Sequence, residues 1–284
     1  MTSSDSGARE GSPAAAPDHA PTADRSAPAP GPDTDRSPDA AHRPATPEAG
    51  AADPARAARP VAVEFVLPLV VRVEKADPPE RTDALETAAR AVLTLLGDER
   101  ANAEDGPWTR LVRDWEDARI RKVVRRARGA EWRRAAELPG ITVTGARAEV
   151  RVFPPVPLDG WPRDLAKLQV SGTELADPRE PAAAPAGQPV LWLNPDLEMS
   201  AGKAMAQAGH GAQLAWWELT GQERAAWRRS GFALAVRTAP RERWADLTGN
   251  GLPVVRDAGF TEIAPGSCTI VADHPALRKR PREL

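Results

Sequence analysis

The chain has 284 residues, with 38 basic and 40 acidic side chains and a formal net charge of −2. That balance excludes a uniformly basic nucleic-acid coat, though not a local basic patch. No apolar run approaches the roughly 20 residues that cross a bilayer. The single cysteine, Cys268, excludes an internal disulfide framework and a multi-cysteine zinc site, and fits a reducing cytoplasm.

Residues 1–60 contain no Val, Ile, Leu, Phe, Trp or Tyr, and 11 of them are Pro and 17 Ala. Such a segment buries nothing that offsets its ordering entropy and reads as a disordered tail. Order is expected from Val61. The β-branched run 61–75 predicts a strand, with Pro68 marking an edge or a bulge. Helical spacing of Leu85, Ala88, Ala89, Val92, Leu95 and Leu96 predicts a helix over 81–96. A second helix is expected over 108–118, a strand over 120–127, and a short helix over 130–138, stopped by Pro139-Gly140. Residues 141–153 predict one or two strands around Gly145. A Pro-rich connector follows, and 163–175 hold at most one short helix.

Residues 176–188 read as a Pro/Ala/Gly linker. Beyond it the pattern predicts a short buried strand at 190–193, a long helix over 200–219 and another over 221–229. It then predicts a strand at 232–237, a short helix at 241–247, and strands at 253–257 and 269–272. The expected domains are therefore 61–175 and 189–275, with a charged tail over 276–284. Both regions read strand, helix, helix, strand, helix, strand pair. Local text recurs as well: 131–146 resembles 243–259 and sets Trp132 opposite Trp244. An internal duplication is the expectation, with coincidence as the alternative.

Two strings in the second region carry the chemistry. The first is MSAGKAMAQAGHGA, residues 199–212. Ser200 suits the cap of a helix, and Gly202 admits a close backbone partner. Lys203, Gln207 and His210 stand at i, i+4 and i+7 and share one helix face. A lysine in the first turn opposes the helix dipole, and broken local rules point to function. The second string is DAGFTEIAPGSCT, residues 257–269. It puts Asp257 at a strand end, then Gly259 and Thr261, then a Pro265-Gly266 turn followed by Ser267 and Thr269. Hydroxyls and backbone N–H groups around a turn suit phosphate or carbonyl oxygens, and ordinary Asx turns look the same.

Together the two strings resemble the archaeal/eukaryotic-type (type 2) peptidyl-tRNA hydrolase family. The helix motif is matched at Met199, Gly202, Lys203, Ala206, Gln207, His210 and Ala212. The later motif is matched at Asp257, Ala258, Gly259, Thr261, Glu262, Ile263, Pro265, Gly266, Ser267 and Thr269. The resemblance covers residues 189–275. It implies an α/β fold with a mixed four-stranded sheet between helical layers. It implies hydrolysis of the ester between a peptide and tRNA, in the cytoplasm, with tRNA as the partner and no cofactor, metal or membrane. Lys203, His210, Asp257 and Thr261 are the implied catalytic residues. Gly202, Gln207, Gly266, Ser267 and Thr269 are the implied substrate-binding residues. The alternative is a non-catalytic tRNA- or partner-binding protein that keeps the fold. It is motivated by departures from the family pattern at Ala201 and at Asn194-Pro195-Asp196-Leu197; a further departure stands at His274-Pro275.

The family pairs as homodimers, so a fused second copy implies a pseudo-dimeric monomer, with a homodimer as the alternative. The first region has neither motif and reads as catalytically empty. It carries Arg119, Arg121, Lys122, Arg125, Arg126, Arg128, Arg133 and Arg134 within one stretch. That run is a solvated face or a phosphate-contacting one.

Overall fold

In the computed structural model, residues 63–259 and 262–278 are described. The expected tail 1–60, most of the charged tail, and Thr261 lie outside them.

Strand β1 (Phe65–Arg72) starts the first sheet, followed by α1 (Arg81–Leu96), α2 (Glu99–Asn102), α3 (Thr109–Glu116), β2 (Lys122–Ala127) and α4 (Gly129–Glu137). Then come β3 (Ile141–Thr144), β4 (Glu149–Val152), β5 (Val156–Pro157) and α5 (Arg163–Ala166). The second lobe runs through β6 (Val190–Leu193), α6 (Ala201–Glu218), α7 (Gly221–Arg229) and β7 (Ala235–Thr238). It closes with α8 (Arg241–Gly249), β8 (Val254–Arg256), β9 (Cys268–Asp273) and α9 (Pro275–Arg278). The short α2, α9 and β5 carry too little periodicity to be legible in sequence.

The two sheets have the same plan. The first runs β2-β1-β4-β3, with β5 added to β1, and the second runs β7-β6-β9-β8. In each, the first two strands are parallel and the remaining pairings antiparallel. This is the expected α/β fold of mixed sheets between helices, present twice.

Pro68 does not mark an edge strand, because β1 pairs with β2 on one side and β4 on the other. It marks an irregularity instead. Leu67 N–H points to Arg121 O of the β2 side, so alternation turns the Pro68 nitrogen to the opposite side. There Phe153 N–H, one residue past β4, still donates to Pro68 O at 3.1 Å, and strand pairing resumes only at Val156. The proline forgoes the single return bond, at the point where β4 ends.

Helices α1 and α6 pack against each other between the sheets. Each also reaches across the boundary, α1 to β7 and α6 to β2. Their small residues allow the close approach: Ala84, Ala88 and Ala91 on α1, and Ala204, Ala208 and Ala212 on α6, are fully buried. The central core draws Leu69, Leu85 and Val92 from one lobe and Leu191, Met205 and Ile270 from the other. The opposite faces are covered separately. Trp132 of α4 packs in a cluster with Val70, and Trp244 of α8 packs against a cluster containing Val271. The two tryptophans paired in the sequence thus take matching places. Among the described residues, no helix is long and apolar enough to cross a membrane.

Candidate active site

Ser200 caps α6, its hydroxyl accepting from Lys203 N–H at 3.2 Å. Glu262 accepts from both the Ser200 N–H (3.0 Å) and its hydroxyl (2.8 Å), tying the second motif to the helix start. The next donor of the first turn, Gly202 N–H, is buried and bonds Thr173 Oγ1 at 3.0 Å. A Cβ on Gly202 would lie 2.7 Å from that oxygen, so the glycine is what lets Thr173 approach. Thr173 follows α5 and precedes the expected linker; no sequence signal connected it to the site.

Lys203 then meets Asp257, with Nζ 2.5 Å from Oδ2, and both side chains are largely buried, at 13% and 5% exposure. One turn further along the helix, Gln207 Nε2 donates to the same Oδ2 at 2.8 Å. Gly259 N–H donates to Oδ1 at 2.8 Å. Thr269 Oγ1 donates to Gln207 Oε1 at 2.6 Å, which fixes the amide so that its nitrogen faces Asp257. A single carboxylate is therefore held by an ammonium, an amide and a backbone N–H. A buried ion pair of this kind is tolerable only with such extra donors.

The loop holding Asp257 is set by glycines in the left-handed region. Gly259 has φ 78° and Gly266 has φ 82°, conformations that favour glycine. Gly266 N–H donates to Asp257 O at 2.7 Å, and Asp257 N–H donates to Ser267 O at 2.9 Å. Gly266 and Ser267 thus shape the loop through their backbone.

His210 does not join this network. Its Nδ1 lies 3.3 Å from Nζ of Lys122, which comes from the other lobe. Burial holds the ring well below the usual imidazole value, and the charges of Lys122 and Lys203 push the same way. Burial also lowers Lys122, with Glu116 acting in the opposite sense. Lys122 had read as one of a surface run of cations, yet it is 6% exposed. Two others of that run are occupied as well. Arg125 donates to the carbonyls of Ala166 and Leu168 and lies over Trp161, and Arg126 donates to Ser171 O.

A cavity of about 440 Å³ lies at the carboxyl ends of β6 and β7, lined by Leu193, Thr238 and Met199 and by Arg81 of α1. Open α/β sheets bind ligands at such ends of parallel strands. Lys203 and Asp257 are not among its lining residues. Cys268, partly exposed, lies 3.1 Å from Arg256 Nη1. Among the described residues, no cluster of His, Cys, Asp and Glu could hold a metal.

A family model described as peptidyl-tRNA hydrolase PTH2 matches residues 188–281. A peptidyl-tRNA hydrolase of Thermococcus onnurineus (strain NA1) is 34% identical over 105 residues, covering 34% of this chain and 86% of that protein.

Proposed function

The chain belongs to the PTH2 family of peptidyl-tRNA hydrolases, and on that premise we propose that its second lobe cleaves the ester joining a peptide to the ribose of tRNA. The observation that carries the reading is the Lys203–Asp257–Gln207 cluster, built from both family motifs at the start of α6.

Ester hydrolysis needs an oriented water and a donor for the oxyanion that develops on the carbonyl. Asp257 is the group that orients the water, since Lys203, Gln207 and Gly259 fix the plane of its carboxylate. Lys203 supplies positive charge for the oxyanion. Water attacks the carbonyl carbon and releases a proton, and the tetrahedral intermediate collapses with cleavage of the bond to the ribose oxygen, which takes up that proton. Gln207 and Thr269 are positioning groups in this scheme, and His210 and Thr261 complete the proposed catalytic set. The partner is peptidyl-tRNA. The two lobes are proposed as a fused pair, 61–175 and 189–275, standing in for a homodimer. The shared strand order and the reciprocal crossing of α1 and α6 support that reading.

The test is release of N-acetylaminoacyl groups from tRNA, with free aminoacyl-tRNA as a control. Cleavage of the blocked ester that collapses in Lys203→Ala and in Asp257→Ala supports the enzyme and its site. Cleavage unchanged by both keeps an esterase and discards the site. Binding of tRNA without cleavage favours a non-catalytic binding protein.

A further inference from the structure

Lys122 opens β2, the edge strand of the first sheet that α6 packs against. Its Nζ lies 3.2 Å from Ile120 O, 2.5 Å from Gln213 Oε1 and 3.3 Å from His210 Nδ1. Gln213 is oriented independently, because its Nε2 faces Glu116 Oε1 at 3.3 Å. The face of Trp115 lies 4.7 Å from the same Nζ. An ammonium has three hydrogens and no lone pair, and here it meets three acceptors and an aromatic face that favours a cation.

We propose that Lys122, contributed by the lobe without the catalytic motifs, is a positioning residue that fixes His210 as a neutral ring carrying its hydrogen on Nε2. Donation from Lys122 requires a bare Nδ1, and a neutral imidazole then has its hydrogen on the other nitrogen. Burial lowers both groups, and the two oxygen acceptors and the aromatic face around Nζ keep the proton at this contact on the lysine. The charged groups around the ring agree. Lys122 faces it from β2 and Lys203 from its own helix, the latter paired with Asp257 from the loop after β8. Glu116 of α3 lies beyond Gln213 and favours the charged lysine. His210 therefore acts as a hydrogen-bond donor through Nε2 and not as a base.

The glycine before His210 gives this contact its room. A Cβ on Gly209 would lie 3.2 Å from Lys122 Cδ and 2.9 Å from Val92 Cγ2. Gly209, an unspecified position of the motif, thus leaves room for the passage of a side chain from the opposite lobe.

The use of His210 in catalysis rests on the hydrolase reading, but the tautomer does not, so the test needs no tRNA. Two-bond ¹H–¹⁵N correlation spectra of the full chain, labelled at its 4 histidines, report which ring nitrogen carries hydrogen. His210 is assigned by its loss in His210→Gln. The expected result is an Nε2–H pattern that stays unchanged from about pH 8 to about pH 5.5. In Lys122→Met the ring's titration midpoint rises by about one pH unit or more. An Nδ1–H or mixed pattern in the unsubstituted chain overturns the proposal, as does a Lys122→Met ring that titrates where the original does. If Lys122→Met does not fold, the pattern of the unsubstituted chain decides alone. A chain that shows the Nε2–H pattern and cleaves no ester would sink the hydrolase reading and leave this one standing.

Discussion

Asp83 and Lys203 occupy the same position, third in α1 and third in α6, at corresponding places in two sheets of the same strand order. Their charges are opposite, and so is what surrounds them. Asp83 accepts from three successive backbone N–H groups, those of Ala146 (2.9 Å), Arg147 (2.6 Å) and Ala148 (2.7 Å). The turn lies directly on the helix: a Cβ on Gly145 would be 2.1 Å from Asp83 Oδ1 and 2.3 Å from Thr87 Oγ1. An acid there also agrees with the helix dipole. In the other lobe the longer loop 257–267 carries a carboxylate, and the helix answers with Lys203 against its own dipole. One lobe uses this position to close a turn on a helix; the other holds a buried ion pair there, at a cost that only function explains.

The largest expected effect separates the two lobes by activity. Lys203→Ala should lower kcat/KM on N-blocked aminoacyl-tRNA by about 10²–10³-fold, the range for losing an oxyanion donor. Asp83→Ala should leave it within about twofold, because Asp83 meets Thr87 and a turn of its own lobe, away from the Lys203 site. Equal losses in both would end the comparison.

Stability should divide in the same direction but less sharply. Removing one member of the buried pair leaves a charge uncompensated and costs about 3–5 kcal/mol. The Lys203→Ala, Asp257→Ala double variant should recover much of that in urea titrations while staying inactive. Asp83→Ala should cost about 1–3 kcal/mol through its orphaned N–H groups.

The seam between the lobes offers a finer test. Gly209→Ala pushes a methyl into Val92 and Lys122 and should cost about 1–3 kcal/mol. Gly221→Ala, where a Cβ meets nothing within 4 Å, should change stability by less than about 1 kcal/mol. Glu86 of α1 accepts from Arg237 Nη1 at 2.6 Å, with side chains 23% and 17% exposed, and from Val236 N–H. Glu86→Gln should cost about 1 kcal/mol, read as a small fall in Tm.

The smallest effect is a pH slope. The folded state holds His210 below its ordinary value, so as pH falls below about 6.5 the unfolded chain binds a proton that the folded chain does not. Stability must then decline with falling pH until the folded ring also protonates. Denaturant titrations from neutral pH downward should show this slope, and His210→Gln should flatten it.

Much of the fold was legible because its elements are regular. The helix over Arg81–Leu96 has its expected bounds, since a full apolar face repeats at helical spacing. Trp216 and Trp217 divide as adjacent helical residues must. The first packs edge-on to Phe232, with centroids 5.8 Å apart, and the second is exposed and donates to Glu116. Pro68 was legible as an irregularity but not as a central one, because strand order is set by partners far along the chain.

Within the site, the sequence alone determined that Lys203 and Gln207 share a face and that Asp257 stands at a strand end beside Gly259 and a Pro265-Gly266 turn. Both follow from local geometry: helical periodicity and the absence of a Cβ. Only the tertiary structure decided that both side chains converge on one carboxylate oxygen, that Thr173 closes the helix start, and that His210 faces Lys122 rather than Asp257. Lys122 sits in a run of arginines, and charge patterning reads such runs as surface. What buries it is the crossing of α6 over β2, a contact between residues 88 positions apart. No local pattern encodes that pairing, because it arises from two lobes packing their helices together.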